Sequence, residues 1–426
     1  MPMTVWQGQE GYAQAMPTPV DKPTEFKLFP EQQEAKDAFL EWFEGRKNGN
    51  GGIFRIFGYA GTGKTTIVKS IVQDIAGTKL FGAYTGKAAL VMQRAGLPAK
   101  TIHSLIYKPV VPDKIAALRI RAEIDQMTED NPNRKALFES LEYVSTMHFE
   151  MNDNSPLNEC DLFILDECSM VNEEMANDIA EFNVPLLILG DPGQLPPISG
   201  TGALVRDEPD ILLTKIHRQA LDNPIIQLSF KARTGEHTPF ADYGTSKKIT
   251  RGKTDNTALV EADQVLVGKN KTRLTLNNRI RRVLGYDKKY PVPGDKLICL
   301  RNNPRLNLFN GLICTVLEKK DEFDEAIEYR LEDEEGNEII CKIHKAYFEE
   351  YYRPGYVKSL PFWRLAEFEA FDFGYAITVH KSQGSQWDNV LLYDDGMCTW
   401  KGAEEDRKKW LYTGITRAAE TITISQ

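Results

Sequence analysis

Three stretches of this chain of 426 residues carry side chains that could handle a nucleoside triphosphate. The first is Gly58-Tyr59-Ala60-Gly61-Thr62-Gly63-Lys64-Thr65, which fits the phosphate-binding pattern G-x-x-x-x-G-K-[ST] without a mismatch. Its glycines let backbone N–H groups converge on phosphate oxygens at a helix N-terminus, where the dipole favours negative charge. Lys64 can reach the β- and γ-phosphates, and the Thr65 hydroxyl can fill one Mg²⁺ position. The second stretch is Leu162-Phe163-Ile164-Leu165-Asp166-Glu167, an apolar run ending in two carboxylates. Asp166 is placed to hold Mg²⁺ through water, and Glu167 to orient and deprotonate an attacking water. The third runs from Pro185 to Leu189 and ends in Gly190-Asp191-Pro192-Gly193-Gln194-Leu195-Pro196-Pro197. Gln194 there can sense a γ-phosphate, because ligands collect at the carboxyl ends of strands in open parallel sheets. Together these residues predict binding and hydrolysis of ATP or GTP.

The neighbouring elements must hold that chemistry in place. Gly51-Gly52 signals a turn, Ile53 to Phe57 a buried strand, and Thr65 to Ile75 a helix. Before them, Pro30 to Trp42 has Ala35 and Phe39 at helical spacing, with Phe43 one turn further on. Gln32 at its start, or its neighbour Gln33, either meets an adenine edge or belongs to a solvated helix start. Leu80 to Tyr84 reads as a strand, followed by Thr85-Gly86-Lys87-Ala88-Ala89 opening a helix and then Thr101-Ile102-His103-Ser104-Leu105. Such Thr, Lys, His and Ser residues suit a phosphodiester backbone, and equally suit helix caps. Residues 106–158 break the α/β alternation. Ile106–Val111 and Thr146–Met151 can form a hairpin, joined by a charged helical stretch that Asn131-Pro132-Asn133 interrupts.

Composition bounds the rest. With 42% hydrophobic residues the chain can bury several cores, and no run approaches a membrane span. The six cysteines are scattered without C-x-x-C pairs, so they read as reduced thiols of a cytoplasmic protein and predict no structural zinc. The net charge of −9 argues against nucleic acid until its distribution is seen. Asp321 to Glu335 holds nine acids and one arginine, whereas Lys269 to Arg282 holds six basic residues and no acid. The start of the basic segment, including Asn270 and Lys271, either grips phosphates or forms a solvated helix face. Leu312–Leu317 and Ile339–Ile343 flank the acidic turn and suggest a small β-barrel.

These motifs, in this order, resemble those of superfamily 1 helicases. Gly58–Thr66, Tyr84–Ala89, Thr101–Leu105, Asp166–Met170 and Gly190–Pro197 look like motifs I, Ia, Ib, II and III. Leu213–Gln219 resembles motif IV, Ala376–Ser385 motif V, and Leu411–Ala418 motif VI. The D-E-C-S-M and G-D-x-x-Q-L-P-P forms are similar to the B branch, the RecD/Dda-like enzymes. Two features depart from the pattern. The arm between motifs Ib and II is longer than a short pin, and His217 stands where Tyr often stacks on adenine.

The resemblance implies an α/β fold of two RecA-like P-loop motor domains, with a hairpin/helical insertion in the first and a small SH3-like β-barrel insertion in the second. The expected division is a disordered arm over 1–25, motor domain 1 over 26–105 and 159–220, the hairpin arm over 106–158, motor domain 2 over 221–301 and 369–426, and the barrel over 302–368. It implies ATP held by Gln32, Gly58, Gly61, Thr62, Gly63, Lys64, Thr65, Thr66, His217 and Gly384, with Mg²⁺ on Thr65 and Asp166. Lys64, Glu167, Gln194, Arg218 and Arg417 would drive hydrolysis. Thr85, Lys87, Thr101, His103, Ser104, Asn270, Lys271, Thr378 and His380 would contact DNA. The implied activity is ATP-driven 5′-to-3′ movement on single-stranded DNA with duplex unwinding, on tailed or forked duplexes. The arm would act as a wedge through Ile106, Tyr107, Val110, Val111 and Phe149. Replication or single-strand-binding proteins are the implied partners, in a phage or bacterial replication or repair setting. RNA as the track, or remodelling of protein complexes, are the alternatives that residue chemistry leaves open.

Overall fold

A computed structural model describes residues 28–46, 51–110, 112–128, 131–145, 148–196, 204, 208–216 and 222–426. The expected N-terminal arm, Val111, His217 and Arg218 lie outside the described residues.

The first half places helix α1 (Pro30–Glu44), strand β1 (Gly52–Gly58) and helix α2 (Lys64–Asp74) in sequence. Next come β2 (Lys79–Ala83), α3 (Gly86–Arg94), β3 (Ala99–Thr101) and α4 (Ile102–Ile106). A hairpin of β4 (Tyr107–Val110) and β5 (His148–Met151) carries two helices, α5 (Lys114–Asp125) and α6 (Arg134–Ser145), between its strands. After it stand β6 (Leu162–Asp166), α7 (Glu173–Glu181), β7 (Pro185–Gly190) and β8 (Ile211–Leu213). The sheet order is β3-β2-β6-β7-β1-β8, and its pairs run parallel. In β6 and β7 almost every residue is buried, as near-continuous apolar runs must be when helices cover both faces. All phosphate-handling stretches therefore end on one edge of the sheet, where β1, β6 and β7 terminate together.

The second half forms β9 (Ala241–Tyr243), β10 (Ser246–Ile249), β11 (Gln264–Val267), β17 (Ala376–Thr378), β18 (Trp387–Tyr393) and β19 (Ala418–Ser425). Their order is β17-β11-β18-β19-β10-β9. Between β11 and β17 the chain builds an antiparallel sheet of β12 (Lys296–Cys299), β13 (Ile313–Glu322), β14 (Ala326–Asp333), β15 (Glu338–His344) and β16 (Phe371–Phe373), in the order β15-β14-β13-β12-β16. Glu369, at the entry to β16, bridges to Ile343 in β15, so the outer strands approach each other. This sheet takes in β12 and β16, which lie on either side of the expected 302–368 span. Its core of Tyr329, Phe348, Phe371 and Phe373 is separate from the apolar cores of the two six-stranded sheets, of which the second is mixed through the antiparallel pair β9–β10.

Candidate functional site

Gly58 ends β1 with no room for a side chain. A Cβ there would stand 2.6 Å from Thr62 Oγ1 and 2.9 Å from Leu213 Cβ. The loop then turns through Gly61 (φ +80°) and Gly63 (φ +79°), both in the left-handed region that favours glycine. Lys64 is the first residue of α2, and its Nζ curls back to donate to Gly58 O at 2.5 Å. Thr65 is exposed beside it. Gln32 is 2% exposed, donates Nε2 to Thr62 O at 3.0 Å and accepts the Phe29 N–H. Gln33 instead points to solvent and donates to Asp37, so Gln32 is the glutamine that faces the loop.

Asp166 and Glu167 terminate β6. The Glu167 N–H donates to Asp166 Oδ1 at 2.8 Å, and Glu167 adopts φ +54°, a conformation a non-glycine residue holds only at a cost. Burial pushes the Asp166 carboxyl up to about 6, with the Glu167 charge adding to the shift and Lys64 opposing it. Beyond β7, Asp191 Oδ1 accepts the Gly193 N–H at 2.9 Å. Gln194 is 7% exposed, and its Oε1 has no hydrogen-bond partner among the described residues. A buried carbonyl oxygen without a donor is costly, and here it marks where a bound water or ligand would complete the site. The donor set fits a magnesium triphosphate, because Mg²⁺ takes few protein oxygens and the rest from phosphates and water. No group of three or more His, Cys, Asp or Glu side chains suited to hold a metal by themselves occurs among the described residues.

In the second half, Arg417 is 6% exposed. Its Nε donates to Thr413 O at 3.1 Å, Nη1 to Ser385 O at 3.2 Å and Nη2 to Thr416 Oγ1 at 3.2 Å. None of these partners is a carboxylate, so the guanidinium charge is uncompensated by them. Gly384 (φ +71°) would bring a Cβ to 2.6 Å from Thr85 Oγ1. The contact the structure gives it is thus with the start of α3, not with the phosphate loop. Glu31, unremarked in the sequence, accepts the Thr214 and Lys215 N–H groups at 3.2 and 3.1 Å and moors that segment beside Gln32. No spacing signal points to it.

A second feature is a cavity of about 1350 Å³ between the two halves and the antiparallel sheet. Of the residues expected on DNA, it is lined by Thr85, Lys87, Thr101, His103, Ser104, Asn270, Thr378 and His380. Lys271 is exposed and is not part of its lining. Thr85 and Thr101 cap α3 and α4 by accepting the Ala88 and Ser104 N–H groups. Burial lowers the His103 and His380 pKa values, so these rings present neutral faces. His103 lies within an aromatic cluster, 5.6 Å from Tyr107, 5.8 Å from Phe149 and 6.2 Å from Tyr84.

The charges of the groove are not where the sequence suggested. Arg273 pairs with Asp372, Arg279 donates to Asn256, and Arg281 is buried against Asp295 at 2.9 Å. Half of the six basic residues are thus engaged by partners within the fold. Lys381, a groove residue not singled out from the sequence, is pushed down to about 8 by burial. Lys87 lies 4.2 Å from the Trp387 ring centre and pairs with Glu334 at 3.0 Å. The acidic turn Asp333–Glu335 therefore reaches into the same cavity.

A glycine-rich loop at the carboxyl edge of one parallel sheet, joined to a second half that carries the buried Arg417, defines a two-part P-loop fold. The AAA domain family matches residues 32–254, more than half of the chain, and the UvrD-like helicase C-terminal domain matches residues 373–424. The chain is 27% identical over 287 residues to the ATP-dependent RecD2 DNA helicase of Deinococcus radiodurans, covering 61% of this chain and 35% of that protein. It is also 27% identical over 164 residues to the uncharacterized protein R530 of Acanthamoeba polyphaga mimivirus, covering 36% and 31%. It therefore spans about a third of the length of these curated relatives. Bacteroides Pif1 bound to single-stranded DNA is similar in structure, with TM-score 0.50 at 18% identity over 94% of this chain and 92% of that one. A Pif1 structure on forked duplex DNA gives 0.51 at 18% identity, over 93% and 91%. The chain belongs to the AAA domain family; its helicase-type C-terminal match and its similarity to RecD2 are those of superfamily 1 B-branch, RecD-like helicases, and it shares the mixed α/β RecA-like fold of the Pif1 structures.

Proposed function

We propose that the chain hydrolyses ATP to move 5′ to 3′ along single-stranded DNA and to unwind tailed or forked duplex. The observation that carries this reading is the groove, whose walls come from both halves: Thr85 and Lys87 from one, Thr378, His380 and Lys381 from the other. A strand held there is gripped by two bodies whose separation the nucleotide cleft sets, so closing the cleft shifts one grip relative to the other. Lys64, Thr65 and Asp166 would hold the Mg²⁺ triphosphate, whose γ-phosphoryl group receives the attacking water. Glu167 accepts that water's proton, Gln194 orients it through the open Oε1, and Arg417 neutralises the charge that develops. The direction of movement rests on likeness to the B branch. In the same reading, the antiparallel sheet is the SH3-like barrel insertion and the β4–β5 arm is the strand-separating pin. ATPase rate with and without single-stranded DNA or RNA, followed by unwinding of 5′- and 3′-tailed duplexes, tests it. Stimulation by RNA alone would change the track, and no stimulation by either would favour a protein substrate.

Two expectations follow from the groove's charges. Three to five phosphate contacts give a log–log salt slope of roughly −2 to −3.5 for single-strand binding. Glu334→Gln frees Lys87 from its ion pair, and should tighten binding by roughly two- to fivefold; fluorescence titration showing weaker or unchanged binding would place the strand elsewhere. Lys381 gives a pH signature. With its pKa lowered to about 8, it is charged below that pH and neutral above, so affinity should fall as pH rises through 8. Lys381→Arg should remove this alkaline loss, since a guanidinium keeps its charge throughout the range.

A further inference from the structure

The cleft is crossed by a tyrosine that the hydrolysis scheme does not use. Tyr412, in the last turn of helix Glu404–Ile415, is 1% exposed. Its Oη accepts the Ala60 N–H of the phosphate loop at 2.7 Å and donates to Asp191 Oδ2 at 2.6 Å. A hydroxyl that donates its one proton to a buried carboxylate and accepts a part-buried N–H has a closely defined position. The ring lies over Gly193, where a Cβ would stand 3.0 Å from its Cε1, so the backbone leaves the tyrosine its seat. The next residue continues the chain of contacts. Thr413 Oγ1 accepts the Leu195 N–H at 2.9 Å, and Thr413 O accepts Arg417 Nε at 3.1 Å.

We propose that Tyr412 is a positioning residue for hydrolysis, whose hydroxyl registers the phosphate loop and the Asp191–Gln194 turn together and thereby sets where Arg417 stands. This rests on the hydrolysis reading above. The argument is mechanical. Arg417 is held by Thr413, Thr416 and Ser385, two of them in the turn that follows Tyr412. The guanidinium can be no better placed than that turn. The turn is fastened to the opposite half by the Tyr412 hydroxyl, on Ala60 and Asp191, and by Thr413, on Leu195. A displacement of about 1 Å at such a contact is enough to cost a large part of a transition-state interaction.

Tyr412→Phe keeps the ring over Gly193 and removes only the hydroxyl. The expected result is a kcat for ATP at least roughly tenfold lower, with KM and the affinity for a non-hydrolysable ATP analogue within about threefold of the original. Melting temperature should change little, and adding Asp191→Asn should lower kcat no further, because the two act through one contact. An unchanged kcat overturns the proposal, as does a joint fall of kcat, ATP affinity and melting temperature, which is the mark of a packing role. Should Tyr412→Phe not fold, Thr413→Val cuts the next link and is judged by the same split. An original protein with no ATP turnover would remove the hydrolysis reading and this inference with it. Turnover in the original matched by Tyr412→Phe would remove this inference alone.

Discussion

Lys64→Ala should abolish ATP turnover, by roughly 10³-fold or more, while nucleotide-free binding of single-stranded DNA survives. Lys64 begins α2 and folds its Nζ over the Gly58 carbonyl, so the ammonium sits inside the loop that would cradle the phosphates. It is absent from the lining of the groove, which is built from other segments. The two activities therefore separate at this residue. Steady-state turnover retained in the variant would sink the assignment of the loop, and joint loss of DNA binding would mean that the substitution unfolds the first half. Glu167→Gln makes a matched contrast. The amide keeps the shape at the end of β6 but cannot accept a proton, so ATP affinity should persist while hydrolysis is lost.

Replacing Asp113–Ser145 with a short Gly/Ser linker should suppress duplex unwinding by roughly tenfold or more and leave DNA-stimulated ATPase within about twofold. Splitting a base pair costs about 1.4 kcal/mol of stacking per step, so a rigid arm at the fork can hold pairs apart while the motor pulls. The distal helices are built for contact outside the core. Ile124 and Leu141 are their buried apolar residues, at 3% and 4%, while Ile115 and Leu118 stand 65% and 67% exposed. The root is a different matter. Ile106 is fully buried, Ser155 donates to Leu105 O at 2.8 Å, and the Tyr107 hydroxyl bonds Asp178. Ile106, expected on the wedge, is thus a core residue and cannot meet a fork. Excising all of 106–158 would strip the core beside β6, so the cut belongs at Asp113–Ser145. Equal loss of ATPase and unwinding after that smaller cut would make the arm structural. Unwinding of a 3′-tailed duplex with the 5′-tailed one untouched would reverse the proposed direction.

By itself, the sequence determined the place of the glycine loop after β1, of the acids that end β6 and of the glutamine that follows β7. Those features are local. Gly61 and Gly63 are read from their spacing because only glycine tolerates the turn at positive φ, and a buried strand ending in Asp166 is legible as an apolar run. The alternation of strand and helix then forces parallel sheets, and with them a common edge for all three stretches. Tertiary structure decided what spacing cannot carry. It chose Gln32 over Gln33 by turning one amide toward Thr62 and the other to solvent. It turned Arg273, Arg279 and Arg281 onto partners within the fold, although in sequence they are indistinguishable from a phosphate-binding run. It also brought Glu334 to Lys87 across 247 residues, and Tyr412 to Ala60 across 352. Charge and hydrogen-bonding capacity are properties of a residue type, whereas the direction of a side chain and the identity of its partner depend on the packing of segments far apart in the chain.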